Sequence, residues 1–62
     1  MTTKQMCPGE TFLCKDGLRR KLLAIELTAT PMRAYYRIIR RKEVGYCSLP
    51  HFGRMAREKV NR

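Results

Sequence analysis

The chain has 62 residues, with 14 Lys and Arg against 5 Asp and Glu, and so carries a net charge of +9 at neutral pH. A chain of this length is one domain that buries only ~60% of its unfolded surface and has an expected stability of ~3 to 9 kcal/mol, which excludes a large enclosed active site. Its hydrophobic fraction of 44% and charged fraction of 31% are those of a folded globule rather than a disordered basic tail.

The single domain is expected to span residues 1–62, with 1–7 as a flexible N-terminal arm. Met1 to Met6 holds one lysine with no apolar stretch behind it, so no secretory signal is expected and the compartment reads as cytoplasmic. The longest apolar run, Leu22 to Ile25, is far short of the ~20 residues that cross a bilayer. Three cysteines, an odd number, suit free thiols in a reducing compartment better than a disulfide framework.

Pro8-Gly9 opens a first strand, Glu10 to Lys15, which stops at Asp16-Gly17. That dipeptide suits a tight two-residue hairpin because both of its positions tolerate positive φ. Residues 18–29 leave two structures open. Leu23, Ile25 and Leu27 alternate as in a half-buried strand, while Leu18, Leu22, Ile25 and Ala29 fit one helical face, with Asp16 as a helix N-cap. Residues 33–41 are rich in aromatic and β-branched side chains and favour a strand. Thr30-Pro31 and Gly45 supply the opposing signals of a helix start and stop. A further strand runs from Val44 to Leu49 and ends at Pro50. The tail from His51 to Arg62 is expected to form a single turn or a short basic helix.

Pro8-Gly9, Phe12, Gly17, an alternating apolar strand, a Tyr-rich strand at 33–39, Gly45-Tyr46 and Cys47-x-x-Pro50 occur in that order. Over roughly residues 8–55 this order resembles a family of short prophage-encoded enterobacterial proteins of uncharacterised function. It departs from that family in the longer link Thr28 to Met32 and in Gly53-Arg54-Met55, where a Phe is usual. The order also resembles the plan of small SH3-like barrels. The resemblance implies a mainly β fold, a small SH3-like antiparallel barrel with or without a short C-terminal helix. It supplies no catalytic residues. Phe12, Leu23, Ile25, Ile38 and Tyr46 are the expected core.

Arg33, Arg37, Arg40, Arg41 and Lys42 cluster without an acid among them and are interleaved with Tyr35 and Tyr36. Guanidinium groups pair with phosphates and exposed tyrosine rings stack on unpaired bases, so this combination suits nucleic acid, DNA or RNA. On a strand, Arg33, Tyr35 and Arg37 share one face with Ile39 and Arg41, which makes Tyr35 the candidate stacking ring. Tyr36, Ile38 and Arg40 take the other face. Arg19, Arg20 and Lys21 extend the patch. The plainer alternative is a solvated charged face with both tyrosines packed.

Cys7, Cys14, Cys47 and His51 are the residue types of a zinc site, but the first pair is too widely spaced for a zinc ribbon or finger, and no metal is expected. Cys47 and His51 lack a third group to orient the imidazole, and there is neither a Gly-rich phosphate cradle nor a pair of carboxylates. The expectation is therefore a non-enzymatic protein with no cofactor, no small-molecule substrate and no membrane partner. A basic amphipathic helix at Leu18 to Leu27 lying on anionic lipid is disfavoured because its apolar residues spread around the helical wheel. The rival function is a protein-interaction module that binds and modulates a host protein with an acidic surface. The rival fold is an all-α DNA-binding domain with helices near 18–29, 31–44 and 50–59.

Overall fold

The computed structural model describes residues 6–60. Within them the elements are β1 (Thr11–Cys14), β2 (Arg19–Glu26), β3 (Arg33–Ile38), β4 (Val44–Ser48), α1 (Leu49–Met55) and β5 (Ala56–Val60). The protein is a mainly β small domain, a five-stranded antiparallel sheet in the order β4-β3-β2-β1-β5 with one short helix. Residues 19–26 and 33–38 are strands, which removes the all-α alternative and the lipid-surface helix. No helix among the described residues is long and apolar enough to cross a membrane.

The expected closed barrel is not formed. β4 and β5 are the two sheet edges, and α1 intervenes between them in the chain. The reason is local. Ser48 is extended and its hydroxyl accepts from the His51 N–H at 3.3 Å, while Pro50 in the first helical turn has no N–H for a strand ladder. The chain is thereby turned out of the sheet into a helix. It returns as β5, a strand not expected from the sequence, which pairs with β1 along Thr11↔Val60 and Phe12↔Lys59.

The Asp16-Gly17 hairpin forms with a different turn from the one expected. The Gly17 N–H donates to the Cys14 carbonyl at 2.9 Å and the Cys14 N–H to the Leu18 carbonyl at 2.9 Å. Of the Asp16-Gly17 pair only Gly17 has positive φ, at 84°. This is a three-residue loop closed by a left-handed glycine. Asp16 is left free to use its carboxylate on Leu18 and Arg20.

The core is Met6, Phe12, Leu22, Ala34, Leu49, Phe52 and Ala56, with Ile25, Tyr36, Cys47 and Met55 packed against it. The expected flexible arm at 1–7 falls mainly on residues 1–5, outside the described residues; of its last two, Met6 is buried and Cys7 donates its N–H to Glu10 at 2.9 Å. Phe12 and Ile25 lie where expected and Ile38 is half-buried. Leu23 and Tyr46 are corrected to the surface, at 36% and 64% exposed. A register shift between Leu22 and Ala24 turns Leu22 and Ile25 inward together, which strict alternation forbids. On β4 it is Gly45 that faces Tyr36. A side chain at Gly45 would meet the Tyr36 ring at 3.0 Å, so the inward position is small and Tyr46, one residue on, points out.

Candidate nucleic-acid interface

α1 packs on the inner side of the sheet. Its Phe52 ring meets Phe12 edge-on at 5.8 Å and Tyr36 at 5.7 Å. The other side of β2, β3 and β4 is left uncovered among the described residues, and the register decides which side chains stand on it. Arg37 lies opposite Lys21 and Val44, Tyr35 opposite Ala24 and Tyr46, and Arg33 opposite Glu26 and Ser48. Arg19, two residues before Lys21, shares its face.

Arg33, Tyr35 and Arg37 are therefore brought together as the alternation requires, and Lys21 joins them from the neighbouring strand. Arg40, Arg41 and Lys42 do not continue the strand face. They form the turn after β3, all exposed. The turn closes with the Arg41 N–H donating to the Ile38 carbonyl at 2.9 Å, and Arg37 Nη1 donates to the Arg41 carbonyl at 3.5 Å. The Ile39 N–H donates to the Arg19 carbonyl at 2.9 Å, so the turn and Arg19 lie at the same end of the sheet. Arg40 has φ 77°, a conformation that costs a residue with a Cβ about 1–2 kcal/mol and glycine almost nothing.

Arg20 is placed on the opposite side. It is 7% exposed, its guanidinium binds both Asp16 oxygens at 3.1 and 2.9 Å, and it lies 5.4 Å from the centre of the Tyr36 ring. Its Nε is buried without a hydrogen-bond partner, so the pair with Asp16, with the Tyr36 ring beside it, offsets the cost of a buried charge. Arg20 is thus a structural cation rather than a phosphate contact. The Arg20 hydrogen bonds, followed by the Leu18 N–H, hold the Asp16 carboxyl below the usual carboxylate range. For a carboxyl with a lowered folded value, the added stability is present above the ordinary value of about 4 and is lost as pH falls through the folded value. Acid titration of the unfolding midpoint should therefore show a fall below about pH 4 in the parent chain. Asp16→Asn should be less stable at neutral pH and should show a shallower acid fall.

Tyr46, expected in the core, belongs to the outer face. Tyr35 and Tyr46 are cross-strand partners with ring centres 5.9 Å apart and planes at 46°. The Arg33 guanidinium lies 5.1 Å from the centre of the Tyr46 ring. Glu26 ties this group down: it accepts from the Tyr35 hydroxyl at 3.1 Å and pairs with Arg33 at 3.6 Å. Arg33 Nη1 also lies 3.5 Å from the Tyr35 hydroxyl. The signal that would have found Tyr46 is the adjacent Gly45: a glycine opposite a large inward ring leaves the next residue on the open face.

The candidate metal ligands are dispersed by exposure: Cys7 is exposed, Cys14 buried and Cys47 half-buried, all as free cysteines. Among the described residues no three His, Cys, Asp or Glu side chains gather as metal ligands. Burial pushes the Cys14 and Cys47 thiols above their ordinary range, which disfavours the thiolate a nucleophile requires. His51 is exposed in the first turn of α1.

Comparison of the chain with protein-family models, with curated proteins and with solved structures finds no match.

Proposed function

We propose that the chain is a small, non-enzymatic, cytoplasmic nucleic-acid-binding protein of phage or prophage type that holds phosphates against the outer face of β2, β3 and β4 and the turn at 39–43. The order of strands, with a short helix before the last, fits an open version of the SH3-like plan. The observation that carries the functional reading is the sorting of side chains by face. Arg19, Lys21, Arg33 and Arg37 stand on one uncovered sheet surface that runs into Arg40, Arg41 and Lys42. The acids beside them are Glu26, already paired with Arg33, and Glu43 in the turn. Such a surface attracts a polyanion and pairs its phosphates. Arg40 adds weight, because it occupies a left-handed turn position where glycine would be less strained, and strain of this kind is retained at functional positions.

One observation favours a second reading. The edge strand β4 carries no charge, and its Val44 and Tyr46 are 59% and 64% exposed, whereas the opposite edge β5 carries Arg57, Glu58 and Lys59. An uncharged edge accepts an added strand from a partner protein, and the surrounding cations would favour an acidic one.

Fluorescence anisotropy with labelled 12-nucleotide probes at 50 mM salt separates the two. Nucleic-acid binding predicts measurable affinity that falls in Arg37→Ala and in Arg40→Gly, the latter while stability rises by about 1 kcal/mol. No binding at that salt leaves the acidic-protein reading.

A further inference from the structure

We propose that the nucleic acid is an unpaired strand, one base of which stacks on the ring of Tyr46. This rests on the phosphate-binding reading above and specifies its ligand. Tyr46 is 64% exposed although Arg33 and Tyr35 both lie against it, so most of its surface remains open. Its surroundings are fixed in advance: Glu26 holds the Tyr35 hydroxyl and the Arg33 guanidinium together, and the main charge on Glu26 is matched within the cluster by Arg33. An aromatic platform whose neighbours are already ordered stacks a base with little further loss of freedom.

The cations are placed to serve that base. Arg37 lies one two-residue step along β3 from Tyr35, a distance of about 7 Å, and Lys21 is its partner on β2, on the near side of the register shift from Ala24. A base on Tyr46 thereby has its own backbone phosphates within reach of long basic side chains. Tyr35 is half-buried with its hydroxyl engaged, which makes it the support of the platform and Tyr46 the ring that receives the base.

A duplex fits this face poorly. Its bases are stacked and paired, so an exposed ring finds no free base plane. A surface three strands wide spans about 10 Å between outer backbones before side chains are added, and a major groove about 12 Å wide admits only a helix or a two-stranded ribbon. Duplex binding at this site is therefore limited to phosphate contacts, whereas an unpaired strand gains the stacking contribution as well.

The test compares three probes of equal length at 50 mM salt: oligo-dT, oligo-rU and a mixed-sequence duplex, each with the full chain. Either single strand should bind more tightly than the duplex. Tyr46→Ala should weaken single-strand binding by roughly 5- to 150-fold and change duplex binding less than about twofold. Tyr46→Trp should retain binding. Because the chain has no Trp, this variant also supplies a single tryptophan whose emission the stacked base should quench. A fold defect would lower affinity for all three probes and is checked by circular dichroism. Duplex binding equal to or tighter than both single strands, or equal losses on all probes in a folded Tyr46→Ala, overturns the stacking proposal while leaving phosphate binding in place. No binding to any probe removes both.

Discussion

Phe52→Ala is expected to remove a large part of the stability of the fold at 25 °C. Phe52 is fully buried and is the one α1 ring that contacts both Phe12 and Tyr36, so it fastens the helix to the inner face of the sheet. Truncating a buried Phe removes transfer energy and leaves a cavity, at a cost of about 3–5 kcal/mol. A 62-residue domain has only ~3 to 9 kcal/mol in total, so the loss is comparable with the whole. Phe52→Leu fills most of the volume and should cost less, about 1–2 kcal/mol. Urea unfolding followed by far-ultraviolet circular dichroism measures both. A Phe52→Ala midpoint within error of the parent would mean that α1 does not hold the sheet in this way.

Raising salt from 50 to 200 mM should weaken duplex binding on the order of 500-fold, if ~5 phosphates are neutralised with a slope of log affinity against log salt of about −4.5. Arg19, Lys21, Arg37, Arg40, Arg41 and Lys42 are available for this, and Arg33 is partly neutralised by Glu26. Arg37→Ala and Arg41→Ala should each reduce the slope by about 0.9. Two other arginines serve as controls. Arg54→Ala lies on α1 away from the sheet face and should change the slope little. Removing Arg20 should instead destabilise the fold, since its guanidinium is buried against Asp16 and Tyr36. A slope near zero, with binding intact, would point to non-ionic recognition.

The parts of this structure that were legible in the sequence are those set by local backbone chemistry. Asp16-Gly17 stops β1 because glycine takes a positive φ there, and the Tyr, Ile and Arg content of 33–38 forms a strand with the expected alternation. What was illegible depends on pairing between distant residues. The extra residue at Leu22 to Ala24 is absorbed against β3, so Leu23 is displaced outward by a partner strand that periodicity does not see. β5, with Arg57, Glu58 and Lys59, reads as a charged tail, yet charge is what a strand at a sheet edge tolerates. Among the site residues, Arg19 and Arg20 look alike in sequence and are separated by the pleat: Arg20 shares the inward side with Leu22. The acid that holds it, Asp16, reads in the sequence as a turn residue or a helix N-cap, not as the partner of a buried arginine. The direction of Tyr46 is hidden for the same reason, since it is set by the Tyr36 ring filling the space over Gly45.

The most direct measurement is an amide chemical-shift footprint of the isotopically labelled protein titrated with oligo-dT at 50 mM salt. The prediction is that the largest shifts fall on Lys21, Arg33, Tyr35, Arg37 and Tyr46 and on the turn from Arg40 to Lys42, while α1 and β5 change little. Shifts concentrated on α1 or β5, or a spectrum unchanged at saturating oligonucleotide, would contradict it.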